Sequence, residues 1–120
     1  MKPCFFAAET HGAQEARAKL SAAYGQTPIE DADVIVALGG DGSMLRALHE
    51  GERKKKPVYG MNRGSVGFLL NEYSDKNLMQ RLERAQIVKL NPLRMKVTTM
   101  TGGVQDALAI NEVSLLRETR

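Results

Sequence analysis

The stretch Asp33-Val34-Ile35-Val36-Ala37-Leu38-Gly39-Gly40-Asp41-Gly42-Ser43 decides the fold class of this 120-residue chain. Val34 to Leu38 is continuously apolar and rich in β-branched residues, the composition of a parallel strand buried on both faces. An alternating pattern would indicate a strand with one wet face, and none is present here. Gly39 through Gly42 then break the strand, and Ser43 to His49 resume as a short helix. Strand, glycine turn and helix form one repeat of an α/β sheet.

The flanks repeat that grammar. Lys2 to Ala8 reads as a short apolar strand. Thr10 can cap a helix from His11 to Tyr24, with Ala13, Ala16, Leu20 and Ala23 at helical spacing and Gly25 as its stop. Pro57 to Met61 is a third strand ending in a glycine-rich turn, and Ser74 or Asp75 can cap a helix reaching Arg84. The alternation predicts an open, mostly parallel, Rossmann-like sheet in an α/β domain over residues 1–91.

From Ile87 onward the helical signals disappear. Leu93 to Met100 reads as a strand, Thr101-Gly102-Gly103 as a hairpin turn, and Gln105 to Leu116 as a returning strand. The expectation is the start of an all-β domain over residues 92–120. A lone hairpin is marginal in water, so residues beyond Arg120 or another chain are expected to complete it.

Composition sets the broad class. The net charge of +3 owes much to the run Arg53-Lys54-Lys55-Lys56, which reads as a solvated loop, so no nucleic-acid footprint is expected. Cys4 is the only cysteine, which excludes an internal disulfide and a cysteine-based metal site. The apolar start ends at Glu9, too early for a signal-peptide core or a membrane span, so the cytoplasm is the expected location. His11 and His49 have no companions at metal-ligand spacing, and His49 is expected to meet carbonyls at a helix end.

Three features carry chemistry. Gly39-Gly40-Asp41-Gly42 follows a buried strand, where ligands of open α/β sheets bind. Its glycines let a phosphate or sugar approach the backbone, and the helix behind it offers free N–H groups. Asp41 is the ionisable group of that turn, placed to accept a hydrogen bond from a sugar hydroxyl. The plain alternative makes Asp41 a helix N-cap. The loop matches neither Walker A nor G-x-G-x-x-G.

The second feature is Gly60-Met61-Asn62-Arg63-Gly64-Ser65-Val66-Gly67-Phe68-Leu69. Asn62 contributes a bifunctional amide and Phe68 a flat apolar surface, or else the segment is a structural turn with Phe68 and Leu69 in the core. If the strands before the two glycine loops are neighbours, both loops share one edge of the sheet. Third, Asn111-Glu112 interrupts an apolar strand. Neighbouring strand residues point to opposite faces, so both serve one ligand only at a bulge or strand end. A solvent-facing Glu at a bulge is the alternative.

In this order the three features resemble the NAD kinase family, whose members carry G-G-D-G, then G-[IV]-N-x-G-x-[LV]-G-F-L, then N-[DE]. Gly-Gly-Asp-Gly alone is similar to lipid and sugar kinase loops, whereas the ten-residue motif is far more specific. Met61 stands where Ile or Val is commoner, a volume-conserving change.

The resemblance implies phosphoryl transfer from ATP to the 2′-hydroxyl of the adenosine ribose of NAD, giving NADP, with a divalent cation such as Mg2+ escorting the triphosphate. It implies Asp41 as the base. Gly40, Gly42, Leu45, Arg46 and Asn62 would form the nucleotide pocket, Phe68 an apolar wall, and Asn111 and Glu112 the contacts to adenosine. Metal ligands are not legible. Homodimers or homotetramers are implied, and no membrane or nucleic-acid partner. The family's T-P-T-G-S-T-A-Y-like segment is not within these 120 residues, so this piece alone is expected to be inactive. Another G-G-D-G kinase, acting on a lipid or sugar, and a non-catalytic nucleotide-binding module are the competing expectations.

Overall fold

A computed structural model describes residues 1–62, 70–90, 93–98, 104–110 and 113–117, without the side chains of residues 41, 90, 93–98 and 104–110. Among these residues the elements are, in order, β1 (Pro3–Ala7), α1 (His11–Tyr24), β2 (Val34–Gly39), α2 (Asp41–Lys54), β3 (Val58–Asn62), α3 (Leu78–Arg84), β4 (Gln86–Leu90), β5 (Leu93–Thr98), β6 (Val104–Ile110) and β7 (Val113–Arg117). Five strands form one sheet in the order β1-β2-β3-β7-β4, and β5 pairs with β6 in a second, two-stranded sheet. β1, β2, β3 and β7 run parallel, and β4 is antiparallel to β7. The predicted α/β architecture with a mostly parallel sheet is therefore present.

β2 is buried along its whole length, and its alternating side chains feed two cores. Val34, Val36 and Leu38 pack with Ala16 and Leu20 of α1 and with Leu78 and Leu82 of α3. Ile35 and Ala37 pack with Met44, Ala47 and Leu48 of α2 on the opposite face. α1 and α2 thus leave successive strands toward opposite faces. Between them the chain wraps the outer edge of β1. Gln26 closes that edge, its Oε1 accepting from Phe5 N–H at 2.8 Å and its Nε2 donating to Phe5 O at 3.2 Å. Thr27 N–H donates to Pro3 O nearby, and Ile29 then packs on the α2 side. The unpaired edge is thereby covered, as sheet edges in soluble proteins generally are.

α1 starts and stops where expected, with Thr10 Oγ1 accepting from Ala13 N–H at 3.3 Å and Gly25 at φ +85° as its C-cap. Ala23, however, is exposed. Other boundaries move. α2 is not a short helix ending near His49: it begins at Asp41 and continues through Gly51 to Lys54. Arg53 and Lys54 consequently lie in its last turn, where positive charge complements the helix dipole, and not in a loop. Glu50 pairs with Arg53 at 2.7 Å and Glu30 with Lys54 at 3.7 Å. α3 begins only at Leu78, after Asn77 in the left-handed region; neither expected cap serves it, Asp75 pairing with Lys19 at 2.8 Å and Ser74 Oγ accepting from Lys76 N–H at 3.1 Å.

The largest departure is at the C-terminal end. Gln105 to Leu116 is not one strand: β6 ends at Ile110, and β7 enters the first sheet between β3 and β4. Local periodicity could not show this, because the partner strands are far away in sequence. The two apolar runs are similar, and Val113, Leu115 and Leu116 of β7 complete the two cores.

Candidate functional site

The carboxyl ends of β2 and β3 meet at one place. Gly39 and Asn62 are register partners, the last pair of the parallel ladder. The Gly39-Gly40-Asp41-Gly42 turn and the start of the Gly60–Leu69 segment therefore share one edge of the sheet, as the neighbouring-strand condition required. Beside them the chain leaves β1 toward α1 on one face and β2 toward α2 on the other. Such divergence opens the crevice in which open α/β sheets bind ligands.

The turn is built by sterics. Gly39 holds φ +147°, and a Cβ there would stand 2.8 Å from Ser43 Oγ and 2.9 Å from Ala8 Cβ. Only glycine fits both the dihedral and the space. Gly40 is the N-cap of α2 and offers no side-chain cap; its carbonyl accepts from Met44 N–H at 3.1 Å. Asp41 is the first helical residue, so the N-cap alternative is assigned to Gly40 instead. The N–H groups of the first turn have no capping side chain, and an anion is the ligand such a turn favours.

Gly42 is exposed, Leu45 is half-buried and Arg46 is exposed. Ser43 and Arg46, one turn apart, line a groove of about 700 Å³ between α2 and β1, together with Phe6, Glu9 and His49. His49 does not meet helix-end carbonyls. It lies inside the longer α2, and its Nδ1 is buried without a hydrogen-bond partner among the described residues.

Asn62 presents its Oδ1 in the same state at the end of β3, buried and without a partner among the described residues. Buried acceptors are nearly always satisfied, so an orphan beside a glycine turn is a place where a ligand donor fits. The side chain of Asp41, and Phe68, Asn111 and Glu112 entirely, lie outside the described residues. The described neighbour of the last pair, Val113, touches the space over Gly51 near the C-terminal end of α2, at the opposite end of the sheet from Gly39. Among the described residues no three His, Cys, Asp or Glu side chains are grouped to hold a metal ion, and no helix is long and apolar enough to cross a membrane.

One residue of the site was missed. Asn71 bridges parallel to Met61 and is buried at the base of the second motif. Its signal is a lone amide directly after the apolar Phe68-Leu69-Leu70, which reads as a plain chain boundary.

Comparison with known proteins gives a consistent result. A family profile described as the ATP-NAD kinase N-terminal domain matches residues 6–87. A protein of Xylella fastidiosa (strain Temecula1) named NAD kinase is 55% identical over 115 residues, covering 96% of this chain and 44% of the relative. An NAD kinase of Caulobacter vibrioides is 56% identical over 108 residues, 90% of this chain and 42% of that protein. One of Cereibacter sphaeroides (strain ATH 2.4.9) is 54% identical over 113 residues, 94% and 44% respectively. The chain spans less than half the length of these curated relatives.

Proposed function

The chain belongs to the ATP-NAD kinase family, and from that premise we propose that the full-length protein is an NAD kinase, a transferase that phosphorylates NAD with ATP. The observation that supports this reading is the pairing of Gly39 with Asn62, which brings the first glycine turn beside the Gly60-Met61-Asn62 start of the second motif. Asp41 accepts the hydrogen bond of the ribose 2′-hydroxyl and takes its proton as that oxygen attacks the γ-phosphorus. The bond from γ-phosphorus to the β,γ-bridging oxygen breaks, and ADP leaves. A carboxylate of ordinary acidity suffices, because phosphoryl transfer depends mainly on positioning and charge stabilisation.

Gly40, Gly42 and the uncapped first turn of α2 face the anionic part of the nucleotide; Arg46 lends positive charge beside the groove, and Leu45 apolar contact. Asn62 accepts a hydrogen bond from the ligand. Roles for Phe68 as a wall, and for Asn111 and Glu112 on adenosine, are supported by the motif order alone. The divalent cation, Mg2+, is assigned to the substrate as its ATP complex, the usual way a triphosphate carries it. We further propose a β-rich unit beginning near Asn91-Pro92, supported by the β5–β6 hairpin, with β7 belonging to the first sheet. A homo-oligomeric, cytoplasmic enzyme acting on neither membranes nor nucleic acid completes the proposal. Residues 1–120 alone are expected to be inactive.

The test incubates full-length protein with ATP, Mg2+ and either NAD or a lipid acceptor. NADP formation supports the proposal. Phosphorylation of the lipid alone overturns it.

A further inference from the structure

Asn71 is 4% exposed and is the one buried amide among the described side chains. Its position is unusual because β3 and β7 pair only at Val58 and Leu115. Beyond that point Asn71 stands where the ladder would have continued. Its N–H donates to Gly60 O at 2.8 Å, and its carbonyl accepts from Asn62 N–H at 3.0 Å. Its side-chain Nδ2 donates to Gly60 O at 3.0 Å and to Leu116 O at 3.2 Å. One amide thus supplies donors to two buried carbonyls on strands that do not bond each other there. An apolar residue of similar size would take the side-chain donor from Leu116 O and leave Gly60 O with the backbone N–H of residue 71 alone.

We propose that Asn71 is a positioning residue for the nucleotide site: it holds the Gly60-Met61-Asn62 end of β3 in register with Gly39, so that Asn62 meets the ligand already oriented. The inference rests on the function proposed above. Asn62 itself marks what is being held. Its backbone is fixed by Asn71, while its Oδ1 is buried with no hydrogen-bond partner among the described residues. The ligand group that suits it is a donor, a nucleobase amine or a ribose hydroxyl. A residue acting only on overall stability would not single out this segment.

The test uses the full-length protein with Asn71→Asp. The replacement has the same shape, but its carboxylate has no donor and faces two carbonyl oxygens; protonation restores one donor. At about pH 8, KM for NAD is expected to rise roughly tenfold against wild type with kcat within about twofold, the pattern of lost uniform binding. The defect, taken as a ratio to wild type, shrinks as the pH is lowered toward about 6, because burial holds such a carboxyl protonated to higher pH. Hydrogen exchange at the Asn62 amide is faster in the variant, while the β1 and β2 amides keep their protection. Asn71→Ser, with one hydroxyl donor, gives an intermediate KM and carries the same readouts if Asn71→Asp does not fold. Wild-type KM in both variants, or exchange accelerated evenly across the sheet, overturns the proposal. If wild-type protein forms no NADP, the kinase reading fails by itself, and exchange at Asn62 still decides the role of Asn71.

Discussion

Ser43 Oγ stands 2.8 Å from the point where a side-chain carbon on Gly39 would project, so the first turn of α2 is seated directly on the last residue of β2. Gly39 also holds φ +147°. Replacing it with Ala therefore combines backbone strain with overpacking against Ser43 and Ala8. Each effect typically costs about 1–3 kcal/mol. Gly39→Ala is expected to lower unfolding stability by about 2–5 kcal/mol in urea titration of the full-length protein. A loss under about 0.5 kcal/mol would show that the turn is not under this constraint.

Gly51 makes the same point inside a helix. Substituting Ala for Gly in a helix interior normally stabilises by about 1 kcal/mol. Here a Cβ would lie 2.6 Å from Val58 Cγ2 and 2.8 Å from Lys56 O. The second contact is backbone and the first a stiff β-branched side chain, so neither yields easily. The overpacking cost of about 1–3 kcal/mol outweighs propensity. Gly51→Ala is expected to lower the unfolding midpoint, and a raised midpoint would contradict close packing of α2 on β3.

The Lys19–Asp75 pair ties α1 to the segment before α3. The Asp75 carboxyl is held below its ordinary value, first by the hydrogen bond from Lys19. A depressed carboxylate contributes stability above its unfolded value, about pH 3.9, and loses it as the pH falls through the folded value. Lys19 is raised by the same hydrogen bond, so its share is present below about pH 10.4 and is lost as the pH rises through its folded value. Melting temperatures of Asp75→Asn and wild type should converge at both the acid and the alkaline extremes, and differ modestly between them. Parallel curves throughout would deny the pairing.

Burial, with Glu30 adding to it, pushes the Cys4 thiol up. Thiol reagents attack the thiolate, so Cys4 is expected to react slowly near pH 8 in native protein and at the free-thiol rate in denaturant. Equal rates would place Cys4 outside the core.

Much of the site was legible in the sequence because it is local. The buried run Val34–Leu38 and the glycines after it are contiguous, and Thr10 with Gly25 brackets α1 by ordinary capping chemistry. Pairing of β2 with β3 was only a condition in that reading, and the ladder from Ile35–Val58 to Gly39–Asn62 meets it. What failed was non-local. The helix after the glycine turn was expected to stop at His49, because the packing of Gly51 against Val58 cannot be seen in a window of residues. β7 looked like a continuation of β6, since both are apolar, and its place between β3 and β4 depends on two cores built elsewhere. Asn71 was passed over for the same reason: its value lies in carbonyls 11 and 45 residues away.

The most direct test of the kinase reading concerns Asp41, the first residue of α2. Asp41→Asn in the full-length protein keeps the shape of the turn and removes the proton acceptor. The expected result is NAD binding within about threefold of wild type and NADP formation reduced by at least about 10²-fold, the usual contribution of a general base. NADP formation by Asp41→Asn at the wild-type rate would contradict it.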